Sequence, residues 1–355
     1  MLKIATIVGA RPQFIKSLPV SNEIRKNCHE VLIHTGQHYD RNMSTIFFEE
    51  MGIPEPDYNL GVGSGSQGEQ TAQMLARIES VLVEGEPDVV LIYGDTNSTL
   101  AGALAASKLH IPVAHVEAGL RSFDKKMPEE INRIVADHVS DILFCPTQTA
   151  VNNLKNEGLT RGIELVGDVM YDAALHFGRV AEGRSGILDK LDLQPKGYLL
   201  ATIHRSANTD EVENLRVLLE TFVEAGERII FPVHPRTRKV IDNAGLNDII
   251  EGSSVRLVDP VGYIDFLKLE KNAAKILTDS GGVQKEAFFF AVPCITLRDT
   301  TEWIETVDSG WNVLVNVNKE LLLNQISEFN PSGEPAALFG DGKASLYIAQ
   351  RLTTL

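Results

Sequence analysis

Two groups of residues have the types and spacing to do chemistry. The first is a set of carboxylates where strand gives way to loop. Asp95 lies in Gly94-Asp95-Thr96 after the apolar run Val89–Tyr93, Glu117 in Glu117-Ala118-Gly119 after the run 112–116, and Glu129 after Pro128 at a helix start. Parallel neighbours joined by a crossover helix end on the same sheet edge. Asp95 and Glu117 are therefore expected to face one crevice, with Glu129 arriving on the loop after Arg121. Converging acids of this kind serve proton transfer. Each acid also has a plainer reading, as a helix cap (Asp95), a complement to a helix dipole (Glu129) or a salt-bridge partner, and spacing alone leaves the two readings even.

The second group suits anions. In Asp279-Ser280-Gly281-Gly282-Val283-Gln284-Lys285-Glu286 two glycines follow a strand and open a helix. Such a turn allows close backbone approach, and the helix start offers unpaired N–H groups to a diphosphate. Glu286, one turn in, is placed to accept the two hydroxyls of a ribose. A Gly-Gly pair also serves an ordinary strand–helix turn, but its position at the ligand edge of the sheet favours a binding role. His204-Arg205, His234-Pro235-Arg236 and Arg298 add cations at other strand ends, and histidine can both bind phosphate and protonate a leaving group. Near the start of the chain, Gly9-Ala10-Arg11-Pro12 turns into a helix with Arg11 and Lys16 about a turn apart. A phosphate clamp and a pair of solvated charges fit that spacing equally. With one glycine and no GxGxxG spacing, this turn is not a dinucleotide fingerprint.

The elements that must position these residues are short apolar strands alternating with helices. Strands are predicted at 3–8, 30–35, 89–93, 112–116, 141–146 and 163–166, then again at 198–203, 228–232, 255–257, 274–278, 292–297 and 313–315. The pattern predicts an α/β fold of two Rossmann-like, doubly wound domains, with the boundary between Asp168 and Pro195. Residues 1–170 form the first domain, 171–342 the second, and 343–355 an amphipathic tail helix expected to pack back on the first. Residues 54–68, rich in Gly and Ser, read as a loop before a helix over 69–83, and residues 45–51 as a short helix. The polar cluster Gln37-His38-Tyr39-Asp40 follows the second strand, and His34 reads as a satisfied structural histidine. Chemistry-bearing residues at strand carboxyl ends in both halves point to a ligand in an interdomain cleft, a GT-B-like arrangement.

Composition narrows the partners. The 355 residues carry a net charge of −15 and are 43% hydrophobic, which suits two packed cores and argues against a nucleic-acid surface. Cys28, Cys145 and Cys294 are too few and too scattered for a disulfide framework or zinc site,. No apolar window is long enough for a bilayer, and the chain enters a strand at Lys3 without a charged-then-apolar leader. No membrane partner and a cytoplasmic location are expected.

At these motifs the chain resembles the non-hydrolysing UDP-N-acetylglucosamine 2-epimerases. The resemblance runs through Gly9-Ala10-Arg11-Pro12 with Lys16, Gly94-Asp95-Thr96, His115-Val116-Glu117-Ala118-Gly119-Leu120-Arg121, Pro128-Glu129-Glu130-Ile131-Asn132-Arg133, Pro232-Val233-His234-Pro235, Asp279-Ser280-Gly281-Gly282 with Gln284 and Glu286, and Arg298-Asp299-Thr300-Thr301-Glu302. It implies a GT-B fold, a homodimer, no metal and no nicotinamide or other cofactor. It also implies inversion at C2 of a UDP-2-acetamido sugar, through elimination of UDP to a 2-acetamidoglucal and re-addition. By this resemblance Asp95, Glu117 and Glu129 are the acid–base and oxocarbenium-stabilising candidates. His204 and Arg11 go to the diphosphate and Lys16 to the active-site floor. His234, Ser280, Gly281, Gly282 and Glu286 go to UDP, with Arg298 near them.

Three departures from the family pattern stand out. His204-Arg205-Ser206-Ala207 replaces the usual His-Arg-x-Glu, Trp303-Ile304 replaces Arg-Pro after Thr-Thr-Glu, and Gln13 replaces Glu after Arg-Pro. The last two resemble the branch that acts on UDP-2,3-diacetamido-2,3-dideoxyglucuronate, the alternative to UDP-GlcNAc as substrate. The segment after Gln37-His38 lacks the pattern linked to allosteric substrate binding in some bacterial members. Other readings are a GT-B glycosyltransferase, a hydrolysing epimerase and a nucleotide-sugar sensor.

Overall fold

The computed structural model describes residues 1–37, 52 and 54–355. The polar cluster from His38 and the helix expected over 45–51 lie outside the described residues. The chain folds as two compact units, one of Met1–His176 with Ala337–Leu355, the other of Phe177–Ala336.

The first unit holds a seven-stranded sheet. Its strands are β1 (Lys3–Val8), β2 (His29–His34), β3 (Tyr58–Asn59), β4 (Val89–Tyr93), β5 (Val113–Val116), β6 (Ile142–Cys145) and β7 (Ile163–Leu165), in spatial order β3-β2-β1-β4-β5-β6-β7. All described pairings are parallel. A parallel sheet is covered by helices on both faces, so its central strands read as unbroken apolar runs. Every residue of β4 is buried for this reason. The second unit repeats the plan with six strands: β8 (Leu199–Thr202), β9 (Ile229–Pro232), β10 (Val255–Val258), β11 (Lys275–Thr278), β12 (Cys294–Thr296) and β13 (Asn312–Leu314). Their order is β10-β9-β8-β11-β12-β13.

Both orders reverse direction once, between β1 and β4 and between β8 and β11. In open α/β sheets, the loops leaving the strands on either side of such a reversal splay apart and leave a crevice. Gly9 to Arg11 and Gly94 to Thr96 flank the first reversal; His204-Arg205 and Asp279 to Gly281 flank the second.

Local chemistry sets the helix starts. Thr96 caps helix Asn97–Lys108, its side chain accepting from the Thr99 amide, and Thr147 caps Gln148–Asn156. Asp95 is therefore not the cap. Ser66 caps Gln67–Gly85, so the helix begins two residues before the predicted start and takes in Gly68. The stretch predicted as one Gly-rich loop also contains the edge strand β3, two residues too short to leave an alternating signature. Small residues bring helix Asn97–Lys108 close to the sheet: a Cβ on Gly102 would lie 2.9 Å from Ile7 Cδ1 and 3.1 Å from Ile92 Cγ2.

The last helix, Ala344–Leu352, belongs to the first unit. The Asp172 carboxylate accepts from the Ser345 amide (2.7 Å), the Ser345 hydroxyl (2.5 Å) and the Ala344 amide (3.1 Å), which fixes the helix start. Among the described residues, no helix is long and apolar enough to cross a membrane. All three cysteines are buried free thiols.

Gly9 has no room for a side chain, because an added Cβ would collide with the Ser98 and Thr35 hydroxyls, which hydrogen-bond each other at 2.8 Å. Gly9→Ala is expected to lower stability by about 1–3 kcal/mol, as overpacking of a tight site does. Urea denaturation of the two proteins side by side measures it.

Candidate active site

In the first unit the site begins with a buried ion pair. Helix Arg11–Ile24 carries Lys16 to the end of β5, where its Nζ pairs with the Glu117 carboxylate. Glu117 is buried and has φ +69°, the left-handed region that glycine favours. A carboxylate held in that conformation is strained locally and must be kept there by its surroundings. Burial by itself would depress the Lys16 amine. The adjoining Glu117 carboxylate outweighs this, with Asp95 and Asp168 adding to it, and raises Lys16 above the ordinary lysine value. Lys16 is thus a fixed positive charge beside Glu117.

Asp95 pairs with the Arg133 guanidinium, which also donates to Glu130 at 3.0 Å. From the same helix, Pro128–Val139, Asn132 Nδ2 donates to the Asp95 carbonyl at 2.9 Å and to Asn97 Oδ1 at 3.1 Å. One helix turn thereby sets the loop after β4. Glu129 stands exposed in the first turn, while its neighbour Glu130 is buried. Glu130 accepts from the Ser122 amide (2.9 Å), the Ser122 hydroxyl (2.8 Å) and the Phe123 amide (2.9 Å). Burial opposes its charge, but these donors and Arg133 bring it below the usual carboxylate value. The structure thus brings Lys16 to Glu117 and Arg133 to Asp95. It leaves Glu129 at the mouth, and gives the structural work to Glu130.

Beneath the acids lies a network that motif reading did not assign. His115 Nε2 donates to the Gly94 carbonyl at 2.7 Å, and Nδ1 lies 2.7 Å from the Asp137 carboxylate. Asp137 also accepts from Arg121 Nη1 at 2.7 Å and the Gly119 amide at 3.1 Å, and Arg121 pairs with Glu157 at 2.7 Å. Both His115 nitrogens face acceptor oxygens,. The ring ties the turn carrying Asp95 to the loop carrying Glu117. Its signal in sequence is faint: His115 is a polar residue inside an apolar strand, and Asp137 sits one turn from Arg133.

Gln13 performs a similar service across the sheet reversal. Its Oε1 accepts from the Gly9 (2.8 Å) and Ala10 (3.0 Å) amides, and its Nε2 donates to the Tyr93 carbonyl (2.7 Å). The amide is both acceptor and donor, and an ionised glutamate could not make the Tyr93 bond. Arg11 projects exposed beside it.

In the second unit, one buried carboxylate organises the candidate anion site. Asp279 accepts from the His204 amide (3.1 Å), the Arg205 amide (3.1 Å) and Asn208 Nδ2 (3.0 Å), with His204 Nδ1 at 3.5 Å. It clamps the turn after β8 to the turn after β11. Ser280 makes no side-chain cap on helix Gly281–Phe289, and a helix start without such a cap can offer its first-turn N–H groups to another acceptor. A Cβ on Gly281 would collide with Glu302, which bridges Arg298 (2.9 Å) and Arg205 (3.4 Å). Lys285 lies over the Trp303 ring at 4.0 Å. His204 and His234 are exposed, and His234 Nδ1 accepts from the Arg236 amide at 3.2 Å. Glu286 is buried and accepts from the Tyr263 hydroxyl at 2.7 Å. Asp279, Asn208 and Tyr263 are contributors that motif reading left without roles.

Fold and candidate sites together define an α/β enzyme of the GT-B type, with acids on one unit's carboxyl edge and a Gly-Gly helix start on the other's. The UDP-N-acetylglucosamine 2-epimerase family model matches residues 22–353. A UDP-N-acetylglucosamine 2-epimerase homolog of Methanococcus maripaludis is 58% identical over the full length of both chains. The UDP-2,3-diacetamido-2,3-dideoxy-D-glucuronate 2-epimerase of Pseudomonas aeruginosa is 50% identical, again end to end. The UDP-GlcNAc 2-epimerase of Methanocaldococcus jannaschii, solved with UDP-GlcNAc and UDP, superposes with a TM-score of 0.87 at 47% identity, all of both chains being covered. The chain belongs to the UDP-N-acetylglucosamine 2-epimerase family and is an isomerase.

The buried Asp137 gives a pH test. Burial alone would raise its carboxyl, but the His115 and Arg121 donors outweigh that and hold it below the ordinary value. A carboxyl depressed in the folded state contributes stability above its unfolded value of about 4, and loses it as pH falls through the folded value. Asp137→Asn is expected to cost about 3–5 kcal/mol at neutral pH, because it strips partners from buried charges. The gap to wild type should close below about pH 4, as thermal unfolding across pH would show.

Proposed function

We propose that the protein reversibly inverts C2 of UDP-N-acetylglucosamine to give UDP-N-acetylmannosamine. The observation that carries this reading is the buried Lys16–Glu117 pair, with Glu117 in a strained backbone, beside the Asp95–Arg133 pair. The C2 hydrogen of the sugar is not adjacent to a carbonyl, so its removal must accompany cleavage of the C1–O bond. Positive character then develops at C1, the C2–H electron pair becomes the C1–C2 double bond, and UDP leaves with the C1–O pair. Return of UDP oxygen to C1 and of a proton to the opposite face of C2 completes inversion.

Each demand has a matching group. Asp95, Glu117 and Glu129 are the acid–base candidates, and two faces of C2 call for more than one acid. Carboxylates near C1 stabilise its positive character, and Lys16 pairs with Glu117,. Arg11 and His204 take the diphosphate. Ser280, Gly281, Gly282, His234 and Arg298 receive the rest of its charge at the helix start, and Glu286 takes the ribose. No cofactor or metal enters this scheme. A homodimer, a cytoplasmic setting and supply of a surface-polysaccharide precursor belong to the same reading.

A second substrate is favoured by specific residues. Gln13 and Trp303-Ile304 match the diacetamido-uronate branch, as does the 50% identity to the Pseudomonas aeruginosa relative. Against this stand the 58% relative and the UDP-GlcNAc-bound neighbour. Incubating the protein with each sugar nucleotide in deuterium oxide, and following C2 by NMR, separates them. The expected result is a reversible UDP-GlcNAc/UDP-ManNAc mixture with deuterium at C2. Turnover of the diacetamido-uronate alone moves the chain to that branch, and turnover of neither removes the reading. Conversion only on adding an acceptor would indicate a glycosyltransferase, and release of free N-acetylmannosamine a hydrolysing enzyme.

Asp95→Asn and Glu117→Gln are each expected to cut C2 exchange by about 10²–10⁴-fold, the usual loss for a general acid or base. UDP binding measured by calorimetry should stay close to wild type. Unchanged exchange in either variant removes that residue from proton transfer.

A further inference from the structure

Beneath Glu286 lies a second buried acid that the reaction scheme does not use. Glu270, on helix Tyr263–Asn272, is 0% exposed. Among the described residues, no hydrogen-bond donor reaches either of its carboxylate oxygens. Its polar neighbour is the Glu286 carboxylate, itself buried. Two ionised carboxylates have only acceptors to offer each other, so contact becomes a hydrogen bond only when one carries a proton. Two such groups side by side in a dry interior cannot both ionise.

The surroundings decide which of the two keeps the proton. Glu286 accepts from the Tyr263 hydroxyl at 2.7 Å and has the Lys285 ammonium nearby, both of which favour its anion. Glu270 is faced by Glu286 and by the Tyr263, Tyr198 and Cys294 side chains, whose acidity it suppresses. No cation is among these groups. Burial first, and then the neighbouring carboxylate, push Glu270 well above the carboxylate range. Burial raises Glu286 as well, to about 7, against the pull of Tyr263 and Lys285. Tyr263 is held in place in turn by an edge-on contact with Phe177 at 5.8 Å between ring centroids.

We propose that Glu270 is a positioning residue that is protonated at neutral pH and donates a hydrogen bond to Glu286, so that Glu270 and Tyr263 together aim the Glu286 carboxylate at the two ribose hydroxyls of the nucleotide. Glu286 then accepts two bonds from within the protein and keeps its remaining lone pairs for the ligand. The inference rests on the nucleotide reading of this helix, and specifies how one of its contacts is preorganised.

The test compares UDP with 2′,3′-dideoxy-UDP, which lacks the two hydroxyls, by calorimetry at acid, neutral and alkaline pH. Wild type should prefer UDP by on the order of tenfold, as expected for hydrogen bonds to a charged acceptor. Glu270→Leu should lose most of that preference while binding the dideoxy nucleotide as wild type does. Glu270→Gln supplies a donor that cannot ionise, so it should keep the preference and hold it at alkaline pH, where wild type declines. A generally disordered variant would lose both ligands alike. Wild type that binds the two nucleotides equally overturns the ribose reading of Glu286 and this inference with it. Wild type that discriminates, with Glu270→Leu discriminating as strongly, overturns the role of Glu270 alone. The same alkaline decline in Glu270→Gln as in wild type does so too.

Discussion

The first unit depends on a charge pair that water does not reach freely. Lys16 and Glu117 come from different layers, a helix and a strand end, and neither can be removed without leaving the other uncompensated. Such a pair adds little net stability against an apolar substitute, because desolvation offsets most of its attraction. What it supplies is placement. It holds Glu117 in a left-handed backbone that an unconstrained glutamate avoids, and it fixes a positive charge beside the acids. The elements around it are arranged to keep that geometry, from the His115–Asp137–Arg121 network below to the Gln13 amide that joins the ends of β1 and β4.

The second unit reaches a comparable result with one carboxylate. Asp279 gathers the two backbone amides after β8 and an asparagine side chain, so the loops on either side of the sheet reversal are tied together. The helix start that follows is left without a side-chain cap. An uncapped helix start inside a folded protein has unsatisfied donors, which an anionic ligand can satisfy. Buried polar residues around it hold their orientations through bonds made away from the opening.

Two departures from the family pattern acquire physical content. Gln13 works because its amide donates on one side and accepts on the other, and it sits where the turn after β1 meets the end of β4. Trp303 lies against Gly281 and receives the Lys285 ammonium on its ring face, so the tryptophan packs beside the Gly-Gly helix start. Both are structural choices made close to the ligand edges.

The sequence by itself determined the alternation of strands and helices, the parallel sheets and the residues at their carboxyl ends. Continuous apolar runs such as Val89–Tyr93 can be satisfied only inside a doubly covered sheet, so local pattern sufficed,. The motifs also marked Asp95, Glu117 and the Gly281-Gly282 turn as candidates. Only the tertiary structure decided which charges meet. Lys16 and Glu117 are about a hundred positions apart, and nothing in their neighbourhoods announces the pair. Adjacent Glu129 and Glu130 look alike in sequence, yet one turn of helix points one to solvent and buries the other against Ser122 and Phe123. The Glu270–Glu286 contact is likewise invisible in the chain, because two helices must first pack before the two carboxylates are buried side by side. Partnership between distant charges depends on distance and desolvation, and both come into being only when the layers close.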